Sequence, residues 1–185
     1  MAALNASAAE CEAGTVTALG LGSSSSCIGA FSGNDTGSGN ALLNELETGV
    51  FDGITEWEIL DKSDSGSNQT TADNGSTSGN WNFNDSIEGP FVVSLKASNS
   101  WSAYYFDTYE SYTSLSGTFE TVGVSTNGRG NPRALSHLTF ARAVVTPTPP
   151  DDNSVATPEP MSTAAFGLFA VGAFRVLKKK TGAES

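Results

Sequence analysis

Basic residues, cysteine and histidine are scarce in this chain, and each scarcity excludes a class of function. Nine Lys and Arg stand against 20 Asp and Glu, which gives a formal net charge of −11 over 185 residues. Such a chain has too few cations to displace counterions from a nucleic acid, so we expect no nucleic-acid partner. Two Cys exclude a Cys-rich zinc site, and one His excludes any site that needs two imidazoles. We therefore predict no resident metal of that kind.

The scarce basic residues are also unevenly distributed along the chain. Residues 1–157 contain 18 acidic and five basic side chains, whereas residues 158–185 contain two acidic and four basic ones. The C-terminal segment is thus a separate electrostatic unit with a net charge of +2. An asymmetry of this kind at a terminus indicates a targeting signal or a membrane contact.

The central part of the chain has the pattern of short strands. Apolar residues alternate with polar ones in runs separated by turn residues, which is typical of strands with one solvated face. We predict an all-β domain over residues 11–146, an antiparallel β-sandwich or jelly roll. The predicted strand runs are 15–21, 27–31, 54–60, 81–83, 91–96, 101–106, 118–124 and 135–141.

Three other segments complete the predicted organisation. Residues 1–10 contain small residues in an A-x-A pattern, so they are either the residual end of a signal peptide or a flexible terminus. Residues 40–47 are read equally well as a short helix or as a strand, and residues 61–78 as a long polar loop. Residues 147–157 are rich in Pro and Thr, which predicts an extended spacer.

Residues 158–185 form the last segment and contain an apolar run followed by lysines. Residues 162–177, interrupted only by Arg175, would form a helix about 24 Å long, shorter than a hydrocarbon core of about 30 Å. The lysines C-terminal to this run place the C-terminus in the cytoplasm and the domain outside. A single short hydrophobic helix of this kind suits a transient membrane tether.

The tail has a three-part order. Pro158, Glu159 and Pro160 precede the apolar stretch, and a basic cluster of Arg175, Lys178, Lys179 and Lys180 follows it. This order resembles the PEP-CTERM sorting signal of exported bacterial proteins. The resemblance implies that an exosortase, an integral-membrane enzyme, processes the tail. It also implies export to the envelope or matrix of a Gram-negative bacterium and an association with extracellular polysaccharide and biofilm. Most of residues 11–141 are similar, through degenerate motifs, to the β-sandwich passenger domains of such proteins.

Export makes Cys11 and Cys27 candidates for a disulfide, because thiols oxidise outside the cytoplasm. The chain also concentrates aromatic residues between positions 101 and 112. Alternation places Trp101, Tyr105 and Tyr109 on one side of an ideal strand. That side is either a carbohydrate-binding face or part of a core.

The remaining chemistry-bearing residues give weaker patterns. His137 lies in an alternating run on the face opposite Leu138, and no nucleophile elbow accompanies it, so we expect a structural or surface histidine. Glu56 and Glu58 share a strand face and resemble either a glycosidase pair or a solvated face. Residues 34–37 and 61–64 offer oxygen ligands for calcium, although neither matches the twelve-residue calcium loop. Calcium is therefore the one cofactor left open.

Together these patterns favour an exported, non-enzymatic protein of the cell envelope or extracellular matrix. The alternative is a β-sandwich module that binds exopolysaccharide through its aromatic residues. The expected partners are an exosortase, the membrane at least transiently, and polysaccharide in the alternative reading.

Overall fold

A computed structural model describes residues 10–144, which contain twelve strands and one short α-helix. The chain divides into two units, Met1–Thr146 and Pro147–Ser185, and all described residues belong to the first. The strands are β1 (Val16–Ala18), β2 (Gly22–Ser23), β3 (Ser26–Ser32), β4 (Trp57–Lys62), β5 (Thr70–Ala72), β6 (Ser78–Phe83), β7 (Ile87–Glu88), β8 (Phe91–Ala97), β9 (Ser100–Phe106), β10 (Ser111–Tyr112), β11 (Leu115–Glu120) and β12 (Leu135–Ala143). The helix α1 spans Ala41–Leu46, and a 3₁₀ turn at Ala13–Thr15 precedes β1.

Ten of these strands form two five-stranded antiparallel sheets. Sheet I has the order β2-β1-β11-β6-β5, and sheet II has the order β3-β9-β8-β12-β4. The strands β7 and β10 form a separate two-stranded ribbon. The all-β prediction is confirmed, and the two sheets build a sandwich-like domain.

The main core lies between the two sheets because both contribute their alternate apolar positions to it. Trp81, Phe83 and Phe119 come from sheet I, and Phe91 and Phe140 come from sheet II. The ring of Phe140 stacks on that of Phe83 with centroids 4.6 Å apart and meets the edge of Trp81 at 5.3 Å. Such aromatic pairs each stabilise the fold by about 1 kcal/mol beyond the area they bury.

A second core covers the opposite face of sheet II. Residues 33–56, named the covering segment here, place Leu42, Leu46 and Phe51 against that face. Sheet II contributes Trp101 and Tyr105 from β9, together with other apolar residues. Leu42 and Leu46 are four positions apart, so they lie on the same face of α1, and both are buried against sheet II. Both faces of sheet II are thus shielded from water.

The structure corrects one organisational prediction. The sequence pattern predicts a continuous polar loop over residues 61–78, yet Thr70–Ala72 forms β5 and pairs with β6 at the edge of sheet I. Its polar residues are compatible with a strand because one face of an edge strand is solvated. Of the two readings for residues 40–47, the helix is the one observed.

Candidate functional site

A fully buried carboxylate joins the covering segment to sheet II. Asp35 has no solvent exposure. Its Oδ2 accepts hydrogen bonds from the hydroxyls of Ser94 and Thr139, both at 2.9 Å. Its Oδ1 accepts from His137 Nε2 at 2.7 Å and from the backbone N–H of Thr36 at 2.9 Å. Four donors therefore fix one side chain, and with it the start of the covering segment.

The charges around Asp35 explain how an ionised carboxylate is tolerated there. Burial acts to raise the pKa of Asp35, but the hydrogen bond and charge of His137, together with the two hydroxyls, hold that pKa below its ordinary value. Burial lowers the pKa of nearby Lys96, and the charge of Asp35 opposes that effect. Lys96 Nζ donates to the backbone carbonyl of Ser98. The cluster is a satisfied internal ion network.

His137 has a carboxylate at each ring nitrogen. Nε2 contacts Asp35, and Nδ1 lies 3.5 Å from the carboxylate of Asp64, which also pairs with Lys62 at 3.1 Å. A Ser–His–Asp hydrolase needs its nucleophile at the second ring nitrogen, where this histidine faces an acid instead. The geometry suits a structural histidine, and it lies on the face opposite Leu138, as the alternation predicts.

The predicted aromatic face does not form on the protein surface. Trp101 and Tyr105 are only 1% and 2% exposed, because the covering segment packs on them. The ring of Tyr105 stacks on Phe51 at 4.8 Å, and its hydroxyl donates to Asp52 at 2.9 Å. Tyr109, at 72% exposure, is the one member of the predicted trio that reaches solvent. Trp101 and Tyr105 therefore pack a core, and the interpretation of the three as one sugar-binding face is wrong for this structure.

Except for the exposed Glu56, the acidic residues proposed for catalysis or calcium are engaged by protein groups. Glu58 pairs with Arg142 across β4 and β12. Asp61 accepts hydrogen bonds from the hydroxyls of Ser65 and Ser67 and from the backbone N–H of Thr70. Within residues 10–144, no group of three or more His, Cys, Asp or Glu side chains has an arrangement that could hold a metal ion.

The hydrogen bonds at Asp61 organise the chain between β4 and β5. Burial acts to raise the pKa of Asp61, but the bonds from Ser67 and Ser65 and from backbone N–H groups lower it to about 2. Asp61 and Asp35 are therefore structural carboxylates, the first holding a loop and the second a segment.

The predicted disulfide is confirmed. Cys11 and Cys27 are bonded, with their Cα atoms 6.1 Å apart. The bond ties the segment before β1 to strand β3 at the edge of sheet II, and both half-buried cysteines pack against the main core.

The solvent-facing side of sheet I carries a groove that the sequence analysis does not identify. Two open cavities of about 260 and 430 Å³ share Leu19, Asn82 and Ser116 in their linings. Asn84 and Tyr112 extend the first cavity. Asn80 and Thr118 extend the second. The signal for this surface is the alternation of Asn with aromatic residues at positions 80–84, where the aromatics enter the core and the amides face solvent.

The sorting motif at residues 158–160, the basic residues at 175–180, the spacer 147–157 and the N-terminal residues 1–9 lie outside the described residues. In the part that the structure describes, no helix has the length and apolar character needed to cross a membrane.

Fold and site together define an acidic, disulfide-bonded, all-β domain with two antiparallel sheets and a second core under a covering segment. Comparisons with models of protein families, with curated proteins and with solved structures gave no match.

Proposed function

We propose that this protein is an exported, non-enzymatic component of the cell envelope or extracellular matrix of a Gram-negative bacterium. The disulfide between Cys11 and Cys27 is the observation that carries the proposal, because such bonds persist in oxidising compartments outside the cytoplasm. In this proposal the sandwich, for which a jelly-roll connectivity remains a prediction, is delivered by the C-terminal tail. An exosortase recognises Pro158, Glu159 and Pro160 and processes the tail at the membrane.

The use of the titratable groups supports a non-enzymatic function. A catalytic acid or base must reach substrate from a cleft, with a free lone pair or proton. Asp35 and His137 instead form a hydrogen bond with each other, and Asp35 also accepts hydrogen bonds from Ser94 and Thr139 of sheet II. Asp61 does the same within its loop. These groups stabilise the fold, as expected of a structural domain.

Processing of the tail is tested by the intact mass of the mature protein from a host that contains an exosortase. Loss of residues 158–185 removes about 3 kDa, on the basis of 19.1 kDa for 185 residues. Changing Pro158, Glu159 and Pro160 together to Ala is expected to leave the full mass and a membrane-bound chain. The matched control changes Pro149, Pro150 and Asp151 to Ala, which likewise removes two prolines and one acidic residue, but from the spacer. That control should be processed normally.

The same measurement distinguishes a sorting signal from a plain anchor. If exported wild-type protein still carries Lys178 to Ser185, the sorting proposal fails. Replacing Arg175, Lys178, Lys179 and Lys180 by neutral residues should let the tail pass through the membrane. Each charge resists transfer at mid-bilayer by about 2.5 to 3.5 kcal/mol. Accessibility of a C-terminal tag to external protease would report this change in orientation.

A further inference from the structure

We propose that the groove on the solvent face of sheet I binds a neutral polysaccharide. The groove is lined by Leu19, Asn80, Asn82, Asn84, Tyr112, Ser116 and Thr118. This inference does not depend on processing of the tail, so either proposal can fail without the other.

The register of sheet I places uncharged polar side chains in rows across the groove. Thr118 pairs with Thr17 on one side and with Asn80 on the other. Asn82 pairs with Ser116 and Thr71 in the next row. Asn80 and Asn82 lie in β6 and Asn84 directly follows it, so at a rise of about 3.4 Å per residue the backbone positions of Asn80 and Asn84 are about 14 Å apart. The rows therefore offer repeated polar contacts along an extended ligand.

The amides along β6 retain unused bonding capacity. Asn80 donates through Nδ2 to Asp73, Asn82 to Thr71 at 3.4 Å, and Asn84 to the backbone carbonyl of Asn68. Each amide oxygen is left to accept a hydrogen bond from a ligand, since no described residue donates to it. Sugar hydroxyls both donate and accept, so a row of amides and hydroxyls is complementary to them.

The charge of the surface selects a neutral ligand. Neither cavity lining contains a charged side chain. Residues 10–144 contain 16 acidic and five basic side chains, so the field around the groove repels an anionic polymer. A uronate-rich or sulfated polysaccharide would lose its hydration here without gaining a cationic partner. A glycan of neutral hexoses avoids that cost.

Two apolar side chains complete the match to a sugar chain. Leu19 is 79% exposed at the turn between β1 and β2. Tyr112 is half-buried and lines the cavity of about 260 Å³. Each can pack on the C–H face of a sugar ring while the amides bind its hydroxyls. A protein partner would call for a central cluster of apolar and aromatic anchors, which this mainly polar groove does not offer.

The test uses the full chain and calorimetric titration with soluble polysaccharides of glucose, mannose or galactose, with polygalacturonate as the anionic probe. We expect at least one neutral polymer to bind, with the same affinity at low and high salt. Asn82→Ala should weaken that binding about three- to tenfold, as expected for one lost hydrogen bond. The double variant Asn82→Ala/Asn84→Ala and the variant Leu19→Ala should each weaken the binding at least as much as Asn82→Ala does.

The matched controls are Asn99→Ala, at the exposed turn between β8 and β9, and Val50→Ala in the covering segment. Neither residue lines the groove, so both controls should bind as wild type does. Equal thermal midpoints would show that every variant is folded. The proposal is overturned if no neutral polymer binds, if polygalacturonate binds better, or if the groove variants bind as tightly as the controls. Self-association that is abolished by Leu19→Ala, without glycan binding, would assign the groove to a second copy of this chain instead.

Discussion

Asp35 shows at the scale of one residue how a buried charge can hold a segment of chain. Replacing it with Asn removes the charge that His137 contacts and sets an amide donor among four existing donors. We expect Asp35→Asn to lower the free energy of unfolding by about 3 to 5 kcal/mol, the usual cost of breaking a buried pair. This change in the free energy of unfolding is measured by urea denaturation, with tryptophan fluorescence as the signal.

The control for this prediction is Asp64→Asn, the other carboxylate that faces His137. The side chain of Asp64 is 44% exposed, so solvent screens its interaction. Its loss should change the free energy of unfolding by less than about 1 kcal/mol. Equal destabilisation by the two variants would contradict the special role of Asp35.

Asp61 gives a pH dependence whose sign follows from its pKa. Its pKa is about 2 in the folded chain, against an ordinary value of 3.8. The carboxylate therefore stabilises the fold above the ordinary value, and this contribution is lost as the pH falls from about 4 to about 2. We expect Asp61→Asn to lower the free energy of unfolding by about 2 kcal/mol at neutral pH. Its unfolding free energy should approach that of wild type near pH 2, whereas a constant difference across that range would contradict the prediction.

Local sequence patterns predict which face a residue lies on, but not which residues meet. Alternation correctly separates His137 from Leu138. The bond between His137 and Asp35 joins residues 102 positions apart. No local spacing encodes that distance, because strand order and the path of the covering segment determine it. For the same reason, residues 34–37 offer calcium ligands in sequence while the structure gives the Asp35 oxygens to protein donors.

At the scale of elements, the covering segment explains the burial of the aromatic residues on β9. Alternation separates Trp101 and Tyr105 from Tyr104 and Phe106, as observed, but it does not reveal that a second layer covers the first pair. The segment has one short helix and many polar residues, a composition typical of a surface loop. Its attachment depends on Leu42, Leu46 and Asp35 meeting sheet II, which only the folded topology brings about.

The contribution of α1 is tested by Leu46→Ala. Leu46 is fully buried in the second core, so its truncation leaves a cavity against sheet II. We expect a loss of about 2 to 5 kcal/mol in the free energy of unfolding. Val50→Ala, at a position 44% exposed, should cost less than about 1 kcal/mol. A loss for Leu46→Ala as small as that for Val50→Ala would show that α1 contributes little to the second core.

The close packing of sheet I is tested at Gly117 in β11. A Cβ there would lie 1.8 Å from the carbonyl oxygen of Thr17 and 2.5 Å from the ring of Trp81. Gly117→Ala must therefore displace β1 or the Trp81 indole. We expect it to lower the free energy of unfolding by about 3 kcal/mol or more. Gly128→Ala is the matched control, since nothing lies within 4 Å of its Cβ position. An equal decrease in the midpoint of thermal unfolding for both substitutions would contradict this explanation.

At the scale of the whole molecule, the disulfide connects the segment before sheet I to an edge strand of sheet II. Cys11 precedes β1 of sheet I, and Cys27 lies in β3 of sheet II. The closed loop of 16 positions restricts the unfolded chain. In the chain-entropy description this restriction stabilises the fold by about 3 kcal/mol. The bond thus makes the stability of the domain depend on whether these two cysteines are oxidised.

We therefore predict that the double variant Cys11→Ser/Cys27→Ser unfolds at a lower urea concentration, with a free energy of unfolding reduced by about 3 kcal/mol. Addition of dithiothreitol should bring the wild-type transition down to that of the variant and leave the variant unchanged, because only the wild type has a bond to reduce. Both cysteines are half-buried against the main core, so the serine hydroxyls add a small packing cost, and the reduced wild type should unfold at a urea concentration equal to or slightly above that of the variant. If reduced and oxidised wild type unfold at the same urea concentration, the bond contributes nothing to stability, and it no longer supports the proposed export.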